Sequence, residues 1–188
     1  GGDLVSRPYA TMTKQTMFAF GIHDAYPSDP KRYYIPRGSM YAAKGVFPIE
    51  SDASSASYFF AAAAVTPHGE CVIDDLSIDS YQRDVEIVRL LHHAGAIHTV
   101  RLAPLRVRGK GKLFRGDFEL IDTSDLLPTV GVCALFSMVP IRISGIANTR
   151  AKESDRVSAM ATELRKLGAE VQEEHDSLTI TPRPDFDY

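Results

Sequence analysis

A shift of 73 residues lays one half of this chain over the other. It carries Asp52 onto Asp125, Ala61 onto Ala134, Pro67 onto Pro140, Leu91 onto Leu164, and Gly95-Ala96 onto Gly168-Ala169. A repeat of this length constrains the whole fold, because both copies must solve the same packing problem. Each copy reads as helix, strand, helix, then two strands. In the first, Asp52 stands as an N-cap before residues 53–65, a segment apolar almost all round, which predicts a helix buried on every side. A strand at 71–73, an amphipathic helix over 84–93 stopped by Gly95, and strands over 96–107 and 112–120 joined by a glycine-rich turn complete it. In the second, Asp125 opens an apolar helix over 126–139, with Pro128 tolerable in its first turn. A strand at 141–146 follows. Val157, Met160, Ala161, Leu164 and Leu167 then form the stripe of an amphipathic helix, and Gly168 takes the left-handed cap position. Strands near 170–173 and 178–181 end the copy.

Ahead of the repeat, Ser6-Arg7-Pro8 opens a helix whose face is Tyr9, Met12, Thr13, Thr16, Met17 and Phe20, closed by Gly21. Pro27, Pro30 and Pro36 mark a loop around a short strand at 32–35, and residues 38–48 lead to a strand ending at Ile49. With 188 residues, the chain suits one ordinary globular domain or two small ones. A net charge of -3 and a pI near 6.1 argue against a nucleic-acid partner. The basic run at 106–112 is short and glycine-interleaved, as in a solvated hairpin. No apolar run is long enough to span a bilayer. Cys71 and Cys133 lie far apart in apolar surroundings, which excludes a disulfide framework or a zinc spacing and reads as buried thiols in a reducing compartment. The first and last residues read as the ends of a piece of a larger protein.

The two copies agree in their scaffold and differ in their loops. Lys152-Glu153 of the second stands where the first has Asp79-Ser80. Loops on a rigid scaffold commonly carry function. The second loop brings Arg150, Lys152 and Arg156 to a helix N-terminus, whose dipole ordinarily repels cations. Two readings fit: an anion held between the cations and the free N–H groups, with Glu153 placed to move a proton, or a solvated loop of mixed charge.

Four segments extend this reading: Ser6-Arg7-Pro8-Tyr9 before a helix; Glu50 through Tyr58 (ESDASSASY); Asp125 opening an apolar helix; and Asn148 through Arg156 running into Met160-Ala161-Thr162-Glu163-Leu164-Arg165. On these residues the chain resembles the enolpyruvyl transferase family, in its branch that uses shikimate 3-phosphate. The resemblance implies an α/β fold of two domains, an inside-out barrel in which each domain holds three βαβαββ units with helices inside and sheets outside. It implies that residues 1–48 are the tail of the shikimate-phosphate domain, and that 49–121 and 122–188 are two units of the other. It implies transfer of the enolpyruvyl group of phosphoenolpyruvate to the 5-hydroxyl of shikimate 3-phosphate by addition and elimination, without metal or organic cofactor. The partners implied are these two small molecules, with no nucleic acid and no membrane, in the cytoplasm or a plastid. The rest of the protein's own chain would complete the site, so that residues 1–188 alone would not turn over.

Carried over residue by residue, the resemblance makes Asp125 the proton acceptor beside the 5-hydroxyl and Glu153 the second acid/base. Lys152 would touch the shikimate hydroxyl and hold developing charge, and Arg156 would grip phosphoenolpyruvate. Asn148 would bond the shikimate ring substituents, Ser6 the shikimate phosphate, and Tyr9 would line that site. The residues alone leave plainer roles open: Asp125 or Ser6 as helix caps, Tyr9 in the core, Asn148 in a turn, and Arg156 paired with Asp155 or Glu153. Ser54, Ser55 and Ser57 read as first-turn helix residues rather than nucleophiles, and His92-His93 as helix surface. Thr149, Ala151 and Arg83 depart from the family pattern, in which an aromatic, a valine and a glycine are common. Its amino-terminal Lys-Ser, its Ser-Ser-Gln, its Asn-Asp-His-Arg and a later lysine fall outside the chain. Three rivals remain: a UDP-sugar enolpyruvyl transferase, which needs a loop cysteine that neither Cys71 nor Cys133 supplies; a non-catalytic fragment that keeps the fold; and a generic phosphate-binding α/β domain.

Overall fold

The repeat is built as two α/β layers, seen in a computed structural model that describes residues 7–23, 34–102 and 104–183. The first copy comprises α2 (Ala53–Val65), β1 (Glu70–Ile73), α3 (Glu86–His93), β2 (Ile97–Leu102) and β3 (Leu105–Gly109), preceded by the lone helix α1 (Arg7–Ala19). The second comprises β4 (Asp117–Glu119), α4 (Leu127–Cys133), β5 (Ile141–Ser144), α5 (Arg156–Lys166), β6 (Glu170–Glu173) and β7 (Ser177–Thr181). The sheets run β1-β3-β2 and β4-β5-β7-β6. All pairings are antiparallel except β4 with β5, where Phe118 stands opposite Ile143. β1, β3 and β2 thus take the places that β5, β7 and β6 take in the second copy.

The repeat positions do the same work in both copies. Leu91 and Leu164 are buried under their sheets. Each helix then ends at a glycine with positive φ, 75° at Gly95 and 90° at Gly168, while the next amide bonds back to Leu91 or Leu164. A side chain at such a φ meets its own carbonyl, at a cost of about 1–2 kcal/mol. Gly168→Ala is therefore expected to lower stability by about that amount, read from a urea midpoint. Gly45→Ala, at a position without positive φ and with nothing within 4 Å of the added carbon, serves as the neutral control. Equal shifts in the two variants would refute the cap argument.

Several sequence expectations are corrected. Residues 96–107 form two strands rather than one, because the chain folds back at Pro104 and pairs Val100 with Val107. The basic run keeps its charges exposed, as expected, but Arg106 and Arg108 lie in β3, the central strand of its sheet, rather than in a turn. Its glycines serve close packing, since a carbon added to Gly109 would fall 1.8 Å from the Ala63 carbonyl oxygen. Of the strand expected at 112–120, only β4 is regular, with Leu113 bridged to Ser137. The strand ending at Ile49 is absent, and residues 37–50 run exposed. A strand needs a ladder partner, and this stretch and its flank make only isolated backbone bonds, such as Ala42 to Phe20 and Ser51 to Asp75. In the strand expected at 32–35, Tyr34 and Ile35 are not extended into a sheet, and Arg32 lies outside the described residues.

The two apolar helices also differ from expectation. α2 packs against β1, β3, α3 and α4. Its remaining side, however, shows Tyr58 and Phe59 57% and 62% exposed. It is buried on most sides, not all. The second apolar helix is shorter than expected: α4 is flanked by 3-10 turns at Ser124–Leu126 and Ala134–Phe136. α2 and α4 are joined by a buried hydroxyl pair, Ser57 Oγ to Thr129 Oγ1 at 2.9 Å.

Candidate functional site

Two loops decide the site, and both leave the carboxyl ends of the adjacent parallel strands β4 and β5. That is where open α/β sheets place their ligands. The first loop becomes the 3-10 turn carrying Asp125. The second turns through Ala147–Ala151 and reaches Asp155, whose side chain caps α5 by accepting from the Ser158 amide at 3.0 Å. Lys152, Glu153 and Arg156 follow the turn on the side that faces Asp125.

Asp125 is the hub. Its Oδ1 accepts from Lys152 Nζ and, at 2.7 Å, from Arg156 Nη1. Its Oδ2 accepts from the Tyr9 hydroxyl at 2.8 Å, although the two residues lie 116 apart in the chain. Arg156 Nη2 reaches Glu153 Oε2 at 3.0 Å. The side chains of Lys152, Asp125 and Arg156 are 25–28% exposed and that of Glu153 is 80% exposed, so three members are partly desolvated and the fourth faces water.

The electrostatics follow from these contacts. Burial pushes the Asp125 carboxyl up, but the hydrogen bonds of Lys152 and Tyr9, the Lys152 charge and the Arg156 bond outweigh it and hold it below the usual carboxylate range. The Glu153 carboxyl is held low by a bond from its own backbone and by Arg156. Burial and the bonded Asp125 carboxylate raise the Tyr9 phenol well above its ordinary value. At neutral pH the site is an ionised carboxylate clamped by two cations and a neutral phenol. An arriving phosphate or carboxylate competes for the same guanidinium and ammonium. Where they turn to it, Asp125 loses stabilisation and its proton affinity rises.

The structure thus gathers Asp125, Lys152, Glu153, Arg156 and Tyr9. Asn148 adjoins them, with Nδ2 donating to Ser124 Oγ at 3.2 Å and Oδ1 buried without a partner among the described residues. Ser6 lies outside the described residues. Asp125 is not a cap: neither its turn nor α4 has a side-chain capping bond. Its repeat mate Asp52 does cap, accepting from the Ser54 amide at 2.9 Å. Tyr9 is not core, since α1 has no buried residue. Arg156 does pair with Glu153, and with Asp125 as well. Arg150, read from the sequence as a third cation of the anion site, turns away to other partners.

One neighbour escaped the sequence reading. Asp84, 5% exposed, accepts from Ser54 Oγ at 2.5 Å. Burial raises its carboxyl, the Ser54 bond and Lys152 offset this in part, and the Asp125 and Asp52 charges add to the rise. The signal was there: the shift of 73 places Asp84 on Val157, a fully buried position, so a carboxylate stands where the second copy has core. The other serines are occupied as well, Ser55 by Asp52 and Ser57 by the Ser54 carbonyl and Thr129. Cys133 is buried with its thiol pushed up to about 12, and burial also raises the half-buried Cys71. Neither thiol has nucleophile character. Among the described residues no group of His, Cys, Asp and Glu is placed to hold a metal ion, and no helix is long and apolar enough to cross a membrane.

The chain as a whole is similar to known proteins. The sequence profile described as EPSP synthase (3-phosphoshikimate 1-carboxyvinyltransferase) matches residues 1–186. The 3-phosphoshikimate 1-carboxyvinyltransferase of Aeromonas salmonicida is 41% identical over 184 residues, covering 96% of this chain and 42% of the relative. That of Photobacterium profundum is 42% identical over 182 residues, with the same coverage. A solved EPSP synthase from Acinetobacter baumannii shares the fold with a TM-score of 0.69 at 23% identity, over 91% of this chain and 40% of that one. The chain thus spans under half the length of the curated relatives it matches.

Proposed function

This chain belongs to the EPSP synthase family, and from that premise we propose that the full-length protein transfers the enolpyruvyl group of phosphoenolpyruvate to the 5-hydroxyl of shikimate 3-phosphate, releasing inorganic phosphate. The observation that carries the reading is the Asp125 carboxylate bonded at once by Lys152, Arg156 and Tyr9. In addition, the hydroxyl oxygen bonds to C2 of phosphoenolpyruvate, its proton passes to Asp125, and the methylene carbon takes a proton from the Glu153–Lys152 side. In elimination, that carbon returns its proton to the Glu153–Lys152 side, the C2–O bond to phosphate breaks, the phosphate leaves with the proton held on Asp125, and the double bond reforms. Arg156, with a fork suited to carboxylate or phosphate, binds phosphoenolpyruvate. Lys152 steadies charge at the reacting hydroxyl, and Asn148, whose buried carbonyl oxygen lacks a partner among the described residues, bonds the ring substituents. Tyr9 lines the ring site from α1, and Ser6 contacts the shikimate phosphate. Residues 1–48 belong to one domain and 49–121 and 122–188 to two units of the other. Further chain closes the site over both substrates, because turnover needs them clamped together.

The test is phosphate release by the full-length protein from phosphoenolpyruvate, with and without shikimate 3-phosphate, beside Glu153→Gln. Release that requires shikimate 3-phosphate and falls about 10²-fold in the variant is the expected result. Release with a UDP-sugar instead would transfer the protein to the sister reaction, and silence with both acceptors would leave a binding module.

A further inference from the structure

The residue beside this site with the most partners is one to which the catalytic scheme assigns no role. Arg150 lies in the turn between β5 and α5, and its side chain is 20% exposed. Its Nε donates to the His175 carbonyl at 2.9 Å and its Nη2 to the Glu174 carbonyl at 2.6 Å. Its Nη1 donates to Asp155 at 2.8 Å, to Glu173 at 3.1 Å and to Ser158 Oγ at 3.1 Å. Five acceptors therefore converge on one guanidinium, two of them main-chain carbonyls of the β6–β7 turn. The same turn holds the loop a second time, since Asp176 accepts from the Ala147 amide at 2.6 Å. The turn is itself braced, with the Glu174 amide on the Ser177 carbonyl at 2.9 Å and Ser177 Oγ on Glu174 at 2.7 Å. Ser158 and Glu173 close the ring at 2.6 Å.

We propose that Arg150 is a positioning residue that staples the loop of residues 147–155 to the β6–β7 turn and so sets Lys152 against Asp125. The inference rests on the function proposed above. The loop is short, and Lys152 sits two residues from the staple at one end while Asp155 anchors the other, so the backbone that carries the ammonium is held on both sides of Lys152. A planar fork with donors on three nitrogens suits five separate acceptors, and a lysine ammonium cannot span them. Without the staple the backbone of 147–153 is free to shift, and displacements near one ångström at reacting groups cost about 10²-fold in rate. Asp125 is faced by Lys152, Arg156, Tyr9 and, through its charge, Asp84. Loosening Lys152 removes one of the two cations that hold the Asp125 carboxyl down.

The test uses the full-length protein and the variants Arg150→Ala, Arg150→Lys and Glu173→Gln, followed by hydrogen exchange and by kinetics across pH. Arg150→Ala is expected to speed amide exchange across 147–153 about tenfold or more while β7 is unchanged, and to lower kcat about 10²-fold with KM altered less than about threefold. The acid limb of kcat/KM is expected to move to higher pH, a change that loss of fold alone would not produce. Arg150→Lys is expected to restore the fold without restoring kcat, and Glu173→Gln to act in the same direction more mildly; these two decide the matter where Arg150→Ala does not fold. Unchanged exchange overturns the proposal, as does faster exchange with unchanged kcat and acid limb. Should the unsubstituted protein release no phosphate with either acceptor, the functional reading falls by itself. Exchange across 147–153 then decides the staple, faster supporting it and unchanged overturning it.

Discussion

Replacing Asp125 by Asn is expected to lower kcat of the full-length protein about 10³-fold, within the range that general acid–base groups supply. The amide keeps the volume and still accepts from Lys152 or Arg156, but it takes no proton from a substrate hydroxyl and carries no charge between two cations. Glu153→Gln is expected to do less, because Glu153 is 80% exposed and water can reach its place. The same substitution has a signature in stability against pH. The Asp125 carboxyl is depressed in the folded protein. It therefore contributes stability that is present above its unfolded value, about 3.9, and is lost as pH falls through the lower folded value. The Asn variant should lack that share of the acid transition while unfolding as one cooperative step at pH 7. Steady-state phosphate release and acid-unfolding curves on the same preparations check both halves. A kcat within tenfold of the unsubstituted protein would remove Asp125 from the chemistry and leave it an ion-pair hub.

The second large effect is on the fold. Gly109→Ala places a carbon 1.8 Å from the Ala63 carbonyl oxygen, 2.8 Å from its carbonyl carbon and 2.9 Å from the Ala64 Cα. All three are backbone atoms in the last turns of α2, so no side chain can swing aside. Either β3 lifts from the helix or α2 loses its end, and each exposes core around Ala63, Ala64 and Val107. Overpacking ordinarily costs about 1–3 kcal/mol, and a clash with fixed backbone belongs above that range. At about 2–4 °C per kcal/mol for chains of this size, a drop in Tm of about 10 °C or more is expected. Lys110→Ala, at the exposed neighbouring position, is the control. A melting curve for Gly109→Ala within about 3 °C of the control would show that the sheet yields cheaply.

How much of this was legible from the residues differs by element. α2 was placed at its observed bounds because Asp52 caps it and a mostly apolar thirteen-residue segment is too long for an ordinary strand. α5 was placed by its stripe and by Gly168, and the repeat by buried and left-handed positions that recur at one spacing. The bend at Pro104 was missed because 96–107 is β-prone on both sides of it. The strand ending at Ile49 was expected on composition alone, whereas pairing makes a strand. Asp84 was missed because a carboxylate in the first turn of a helix reads as solvated until its surroundings are known.

What the sequence alone determined is local: where α2 and α5 begin and end, that two copies share one plan, and that Asp125, Lys152, Glu153 and Arg156 stand out as charges in loops or at helix starts. Caps, periodicity and left-handed glycines act within a few residues, so their consequences are written in adjacent letters. Only the tertiary structure decided which charge meets which. Tyr9 reaches Asp125 across 116 residues, and Arg150 and Arg156, six positions apart, turn to opposite sides of one loop. A guanidinium pairs with any carboxylate it can touch. The choice is made by the strand order that brings the ends of β4 and β5 together and sets the β6–β7 turn behind them.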